Sequence, residues 1–272
     1  MPTYCLENDS SGRTPIRKLL LSIARCPAIK RIIELENSEN KCSKIVLNQK
    51  ASLLKFRLPE PWSGHLDRAC VLFLSSNPSI SSNEESPLWS WEDNLVEDYF
   101  VHRFAGGKKA WSEDGIRHLR SGGGYGSRKE WVRHWAAVKR RCSELYPKGY
   151  KIEPGTSYVI SEVVHCKSKE EAHVKDALKP CTSNYLYDLV ACSAARIVVC
   201  MGGYAKQAVC DVFDFNPKDA RLYPKLINGI EKWFAFLPHT NFRGPRTFER
   251  VMPKELPVLR SALLDCLSQD RK

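Results

Sequence analysis

The sequence predicts an α/β protein, a three-layer α/β/α sandwich around a parallel sheet, on three observations. Four short apolar runs have strand character: residues 69–74 (ACVLFL), 158–160 continuing into Val163 and Val164, 196–200 (RIVVC) and 233–237 (WFAFL). Helical patterns lie between them, and a helix joining two parallel strands implies a right-handed crossover onto the sheet. Polar residues stand just past the runs: Asn77, Glu162 and His239, with Met201-Gly202-Gly203 closing the third. Ligands of open parallel sheets bind outside the carboxyl ends of the strands, so these residues are expected to build one site from distant sequence.

The elements follow in order. Thr14-Pro15 reads as an N-cap and first turn, and Ile16, Leu19, Leu20 and Ile23 recur at helical spacing. Pro27 interrupts that helix, and Ile29, Ile32, Ile33 and Leu35 predict a second. Residues 36–50 are polar and read as a loop. Residues 1–50 are therefore a helical extension packed on a main domain spanning 51–272. After Asn77-Pro78 comes a long irregular stretch to about residue 104, a length usually kept for function. Residues 121–129 (SGGGYGSRK) form a basic, glycine-rich loop. Trp131, Trp135, Val138, Cys142 and Leu145 mark one helical face, with both tryptophans read as core. Ser168 and Glu171 form the S-x-x-E pattern of a capping box, and Pro180 is expected to break the helix it opens. Leu186, Leu189 and Val190 form another helix. Gly202-Gly203 turns the third strand into a helix carrying Ala205, Ala208, Val209 and Val212, where backbone amides are free to approach a phosphate. Leu256, Leu259 and Leu263 close the chain as an amphipathic helix.

The 272 residues carry 42 Lys and Arg against 31 Asp and Glu, a net charge of +11. That balance suits a polyanionic partner, nucleic acid or an acidic membrane face, beside the plainer reading of basic solubility. No apolar stretch approaches the ~20 residues needed to span a bilayer. The first residues lack a signal pattern, so the expected location is cytoplasmic, with reduced thiols. Among 11 cysteines none are spaced C-x-x-C. Cys70, Cys192, Cys200 and Cys210 read as buried thiols. No phosphate-binding P-loop or G-x-G-x-x-G follows a strand.

Residues 73–79 (FLSSNPS), 161–167 (SEVVHCK), 197–205 (IVVCMGGYA) and 238–241 (PHTN) together resemble, in order and spacing, the motifs of the uracil-DNA glycosylase superfamily. The resemblance covers roughly residues 55–265. It implies a central four-stranded parallel sheet, a base pocket at the strand ends and hydrolysis of an N-glycosidic bond in DNA. It implies that Asn77 positions water, as in the asparagine-type, mismatch-specific members, and that His239 stabilises charge on the departing base. Phe100 and Phe104 are the candidates to stack on the flipped base. Cluster-bearing members use four cysteines, including a pair resembling Cys166 and Cys181. Their N-terminal C-x-x-C is missing, and Cys26 and Cys42 are irregularly placed, so no metal, iron–sulfur cluster or other cofactor is expected.

Glu162 falls where many relatives carry an asparagine that reads uracil. A carboxylate would repel uracil O4 but accept from the N4 amino group of a cytosine edge. That favours a cytosine with a bulky 5-substituent, such as the hydroxymethylated or glucosylated cytosines of phage DNA, excised in antiviral defence. The alternative is that Glu162 pairs with a neighbouring cation and never meets the base. Asn241, Phe242, Arg243 and Arg246 have the composition of a wedge between phosphate-binding arginines. Gly202 and Gly203, with Lys108, Lys109, Arg117, Arg120, Arg128 and Lys129, are further candidates to hold DNA. The expected enzyme is a monomeric, monofunctional DNA glycosylase without membrane or protein partner, because no lysine occupies the catalytic positions. Uracil excision in repair and a catalytically silent DNA-binding module are the alternatives.

Overall fold

The computed structural model describes residues 14–35, 39–81, 83–104, 111–127, 131–216 and 221–269. Helices α1 (Pro15–Ala24), α2 (Pro27–Leu35) and α3 (Ser43–Leu47) precede strand β1 (Val71–Ser75). Helix α4 (Asp93–Val101), a small hairpin of β2 (Ser112–Glu113) and β3 (Arg117–His118), and helix α5 (Arg133–Leu145) lead to β4 (Tyr158–Glu162). Then come α6 (Val174–Cys192), β5 (Ile197–Met201), α7 (Gly203–Phe213), β6 (Leu222–Ile227), β7 (Ile230–Leu237), α8 (Phe248–Val251) and α9 (Leu256–Gln269).

Among the described residues the central sheet has five strands in the order β4-β1-β5-β7-β6. The four expected strands pair in parallel, with Val71 opposite both Tyr158 and Ile197, and Ile197 opposite Trp233. The expected count of four is corrected by β6, which joins the edge antiparallel to β7. Its turn, Asn228-Gly229, has φ of 49° and 76°. An Asn-Gly pair supplies the two left-handed residues that a tight hairpin needs.

Helices cover both faces of the sheet. Successive strand residues point to opposite sides, so Leu72, Leu74, Val198 and Cys200 pack with α1, α2, α6 and α7. Val71, Phe73, Ile197 and Val199 pack with α5 and α9. Burial on both faces explains why the parallel strands read as unbroken apolar runs.

The N-terminal helices share the first of these cores through Leu19, Leu20, Ile23, Ile29, Ile32 and Ile45. Thr14 caps α1, its Oγ1 accepting from the Arg17 N–H at 3.3 Å. Arg17 donates to Glu97 (2.5 Å) and Asn94 (2.6 Å), and Arg25 reaches Asp93 at 3.2 Å, tying α1 to α4. The interruption at Pro27 is as expected, with α1 ending at Ala24 and α2 beginning at Pro27. Two expectations are corrected here. The 36–50 segment contains α3. Helix α6 runs through Pro180 over 19 residues, because its buried face outweighs the ~3 kcal/mol cost of an internal proline.

The reduced-thiol expectation also fails in part. Cys70 and Cys266 form a disulfide across 196 residues, their Cα atoms brought to 5.9 Å by packing of α9 beside the sheet. Cys192 is disulfide-bonded as well, whereas Cys200 and Cys210 are free thiols. No described helix is long and apolar enough to cross a membrane.

Candidate active site

The carboxyl ends of β1, β4, β5 and β7 open into a cavity of about 1500 Å³. Asn77, Glu162, Gly202, Gly203, His239, Asn241 and Arg246 all line it. Backbone pairing continues past β1, with Val163 N–H to Ser75 O at 2.9 Å and Val164 N–H to Ser76 O at 3.0 Å. Asn77 therefore emerges from a fixed backbone. Its Nδ2 donates to Ser168 Oγ (2.9 Å), Pro78 O (3.0 Å) and Cys166 O (3.4 Å). Three oxygens around Nδ2 settle which way the amide faces and leave Oδ1 without a partner among the described residues.

Ser168 and Glu171 are not a capping box. Helix α6 starts later, at Val174, and the two side chains reach across to the β1 loop instead. Ser168 holds Asn77, and a Glu171 carboxylate oxygen accepts from Ser76 Oγ. Glu170, Glu171 and His173 have φ of 50°, 57° and 63°. Left-handed backbone at non-glycine residues is sparsely populated and tends to persist at functional loops. Both Glu170 and Glu171 line the cavity.

Glu162 ends β4 and is 7% exposed. Its carboxyl makes no hydrogen bond or ion pair with any described residue, although Arg103 and Lys167 are near it. Those cations are engaged with other carboxylates, and Arg103 lines the same cavity. Arg103 Nη1 donates to Glu60 Oε2 (2.6 Å) and Ser63 Oγ (3.1 Å), its Nη2 to Glu84, and Lys167 Nζ to Glu60 Oε1. Glu162 forms no ion pair with either cation among the described residues. Burial raises the Glu60 carboxyl, but Arg103 and Lys167 outweigh it and hold the group at about 2. Glu162 goes the other way: burial first, then the Glu60 carboxylate, push it up to about 8. Both causes favour the protonated acid over the carboxylate expected from sequence.

His239 is fixed from two sides. The Asn241 backbone N–H donates to its Nδ1 at 3.3 Å, so the neutral ring carries its proton on Nε2 and presents a donor. Beneath it lies Gly202, with φ of 93°, where a Cβ would stand 3.2 Å from the His239 Cβ. Gly202 thus gives His239 its place as well as turning the strand into α7. His134, a cavity residue not singled out from sequence, lies parallel to His239 with centroids 6.2 Å apart. Its Nδ1 is 3.2 Å from Thr240 Oγ1 and its Nε2 3.4 Å from Ser75 Oγ. Burial, then His239, push His134 down to about 4, so it stays neutral.

The stacking candidates are corrected. Phe100 and Phe104 are buried and do not line the cavity; Phe104 packs edge-on against Trp135 at 5.5 Å. Trp135 and Trp131 line it instead. Trp135 carries the Arg103 guanidinium 4.6 Å from its ring, and Trp131 lies before α5, 46% exposed instead of in the core. Arg133 and Arg140 add positive charge to the wall. Phe242 and Arg243 are exposed on the turn after His239, outside the cavity, and Arg246 is bonded back to Thr240 O. Lys108, Lys109, Arg128 and Lys129 lie outside the described residues.

Cys26, Cys42, Cys166 and Cys181 come together from the α1–α2 turn, the start of α3, the segment after β4, and α6. Burial, then the neighbouring thiols, raise Cys166, and burial followed by Cys26 pushes Cys42 up to about 11. Cys26 and Cys42, irregularly placed in sequence, lie near the other pair in the fold. No group of three or more His, Cys, Asp or Glu among the described residues closes on a single metal ion. Four thiols are nonetheless the donor set that an iron–sulfur cluster takes. No protein-family model and no curated protein matches this chain.

Proposed function

We propose that this chain is a monofunctional DNA glycosylase of the uracil-DNA glycosylase type. In this reading it extrudes a modified pyrimidine from DNA and hydrolyses its N-glycosidic bond, leaving an abasic site. The observation that carries it is the opening of Asn77, Glu162 and His239 onto one cavity at the carboxyl ends of the parallel strands.

The chemistry follows from the free atoms. Asn77 Oδ1 accepts from a water and orients its oxygen toward C1′ of the sugar. A neutral amide cannot take the water's proton well, so the N1–C1′ bond breaks ahead of attack and the sugar becomes oxocarbenium-like. His239 Nε2–H donates to the departing base as it gains electrons, a preorganised contact worth ~3–4 kcal/mol. Water then bonds to C1′ and releases its proton to solvent. Trp131 and Trp135 offer aromatic wall for an extruded base, and Arg133 and Arg140 offer charge for the flanking phosphates.

The preferred substrate in this proposal is a hydroxymethylated or glucosylated cytosine of phage DNA. The cavity exceeds the roughly 300–1,000 Å³ usual for a ligand pocket, which leaves room for a bulky 5-substituent. Uracil excision in repair is the second reading, favoured by Glu162 itself: a protonated carboxyl can donate to O4. Mass spectrometry of bases released from uracil-containing, hydroxymethylcytosine-containing and glucosylated phage DNA separates the two. DNA recovered chemically unchanged from all three rejects both.

The same reading gives the four thiols a role. Cys26, Cys42, Cys166 and Cys181 would hold a structural iron–sulfur cluster that ties α1–α3 to the sheet. Iron and acid-labile sulfide in anaerobically purified protein, lost in Cys26→Ser, would support this assignment.

A further inference from the structure

We propose that Glu162 is the general acid of the reaction, giving its carboxyl proton to N3 of a cytosine-type base as the N-glycosidic bond breaks. The inference rests on the glycosylase reading and adds to it a second catalytic proton and a basis for choosing the base.

Its position supports this role. Glu162 is more than nine-tenths buried, lines the cavity and has no hydrogen-bond partner among the described residues. The charged groups facing it are Glu60, from the segment before β1, Arg103, just past α4, and Lys167, after β4. Glu84 joins the set through Arg103. Glu60 and Glu84 are the carboxylates that the two cations hydrogen-bond, and Glu162 stands beside the Glu60 carboxylate with no bond to either cation. That setting favours the protonated carboxyl, and Glu162 lines the cavity.

A neutral carboxyl has one donor and one acceptor side by side. Cytosine presents an N4 amino donor beside the N3 lone pair, so the two groups form a pair of parallel hydrogen bonds. Uracil can also bind a neutral carboxyl, with O–H to O4 and N3–H to the carbonyl. Binding alone therefore separates the two bases poorly. Chemistry separates them. Unprotonated cytosine leaves as a strongly basic anion, whereas cytosine protonated at N3 leaves neutral. Uracil N3 already carries hydrogen and has no lone pair free for the proton. Acid catalysis at this position is open to cytosine-type bases and closed to uracil.

The step balances. The Glu162 O–H bond breaks and an N3–H bond forms, while the N1–C1′ electrons stay with the ring and the base departs uncharged. Water bonds to C1′, and the proton it loses restores Glu162 through solvent. Water is consumed, and free base and an abasic sugar are produced.

The test is single-turnover base release from duplexes containing 5-hydroxymethylcytosine or uracil, across pH, for wild type and Glu162→Gln. Binding to a duplex with an uncleavable 2′-fluoro analogue is measured in parallel. Wild type should lose rate on the cytosine substrate as pH rises past the ionisation of Glu162. Glu162→Gln should lose that limb and ~10²-fold or more in rate, with a smaller loss on uracil and unchanged analogue binding. A smaller loss on the cytosine substrate, or a limb that persists in the variant, overturns the inference and leaves the glycosylase reading standing. Wild type that releases no base from either duplex overturns both.

Discussion

Two neighbouring regions at the strand ends use polar side chains in opposite ways. In one part of the cavity wall, Glu60, Glu84 and Arg103, with Lys167 beside them, are at most 9% exposed, and each is ion-paired to another. Elsewhere on the wall, Asn77 keeps Oδ1 open, His239 keeps Nε2–H open, and Glu162 keeps both carboxyl oxygens open. The first region spends most of its hydrogen-bonding capacity on its own ion pairs, with Arg103 Nε left over. The second is held by its neighbours yet retains that capacity. Unspent valence, not the number of charges, marks the atoms fit to act on a substrate.

Cutting into the paired region should have the largest effect. Arg103→Met leaves two buried carboxylates without their shared partner, a loss of about 3–5 kcal/mol in unfolding free energy by denaturant titration. A loss below 1 kcal/mol would show that water or rearranged lysines take over. The open region should respond in activity instead. Asn77→Ala and His239→Ala are each expected to lower the rate of base release by ~10²–10³-fold, while thermal midpoints stay near wild type. An equal fall in midpoint would place these residues with the paired set.

Glu162 sharpens the contrast through pH. Folding raises its ionisation from 4.5 to about 8, so across that window the native state binds more protons than the unfolded chain. Stability must therefore fall as pH rises through the window. Glu60, lowered from 4.5 to about 2, contributes in the other direction, and its stabilisation is lost as pH falls through that range. Glu162→Gln should melt higher than wild type above pH 8 and alike below 4.5, as scanned by calorimetry. A constant difference at all pH values would contradict the assignment. The smallest effect is expected at the rim, where Arg243→Glu should weaken DNA binding and reduce its salt slope by about 1. Affinity unchanged across salt would remove this turn from the DNA-facing surface.

The four parallel strands were legible because burial on both faces leaves no polar positions to interrupt them. β6 was hidden by its exposed edge and by Pro224, although Asn228-Gly229 carried a hairpin signal. Asn77, Glu162 and His239 were legible because strand ends are local features of sequence. Their supports were not: Arg103 lies beyond α4 and Glu60 before β1, and only the tertiary fold joins them. Ser168 and Glu171 showed a true pattern whose side chains found better partners across the cavity. Glu162 was legible in place but not in its titration, since burial and then the neighbouring Glu60 carboxylate raise its pKa. Phe100 and Phe104 were misplaced because an aromatic run near a loop gives no sign of which rings turn inward.

The most direct measurement is quantification of free base and alkali-labile abasic sites after incubating hydroxymethylated or glucosylated phage DNA with wild type and Asn77→Ala. Wild type should yield both products in equal amounts, and Asn77→Ala should bind the DNA while yielding almost none. Intact DNA with wild type, or equal yields from the two proteins, would contradict an active site built on the open atoms of the strand ends.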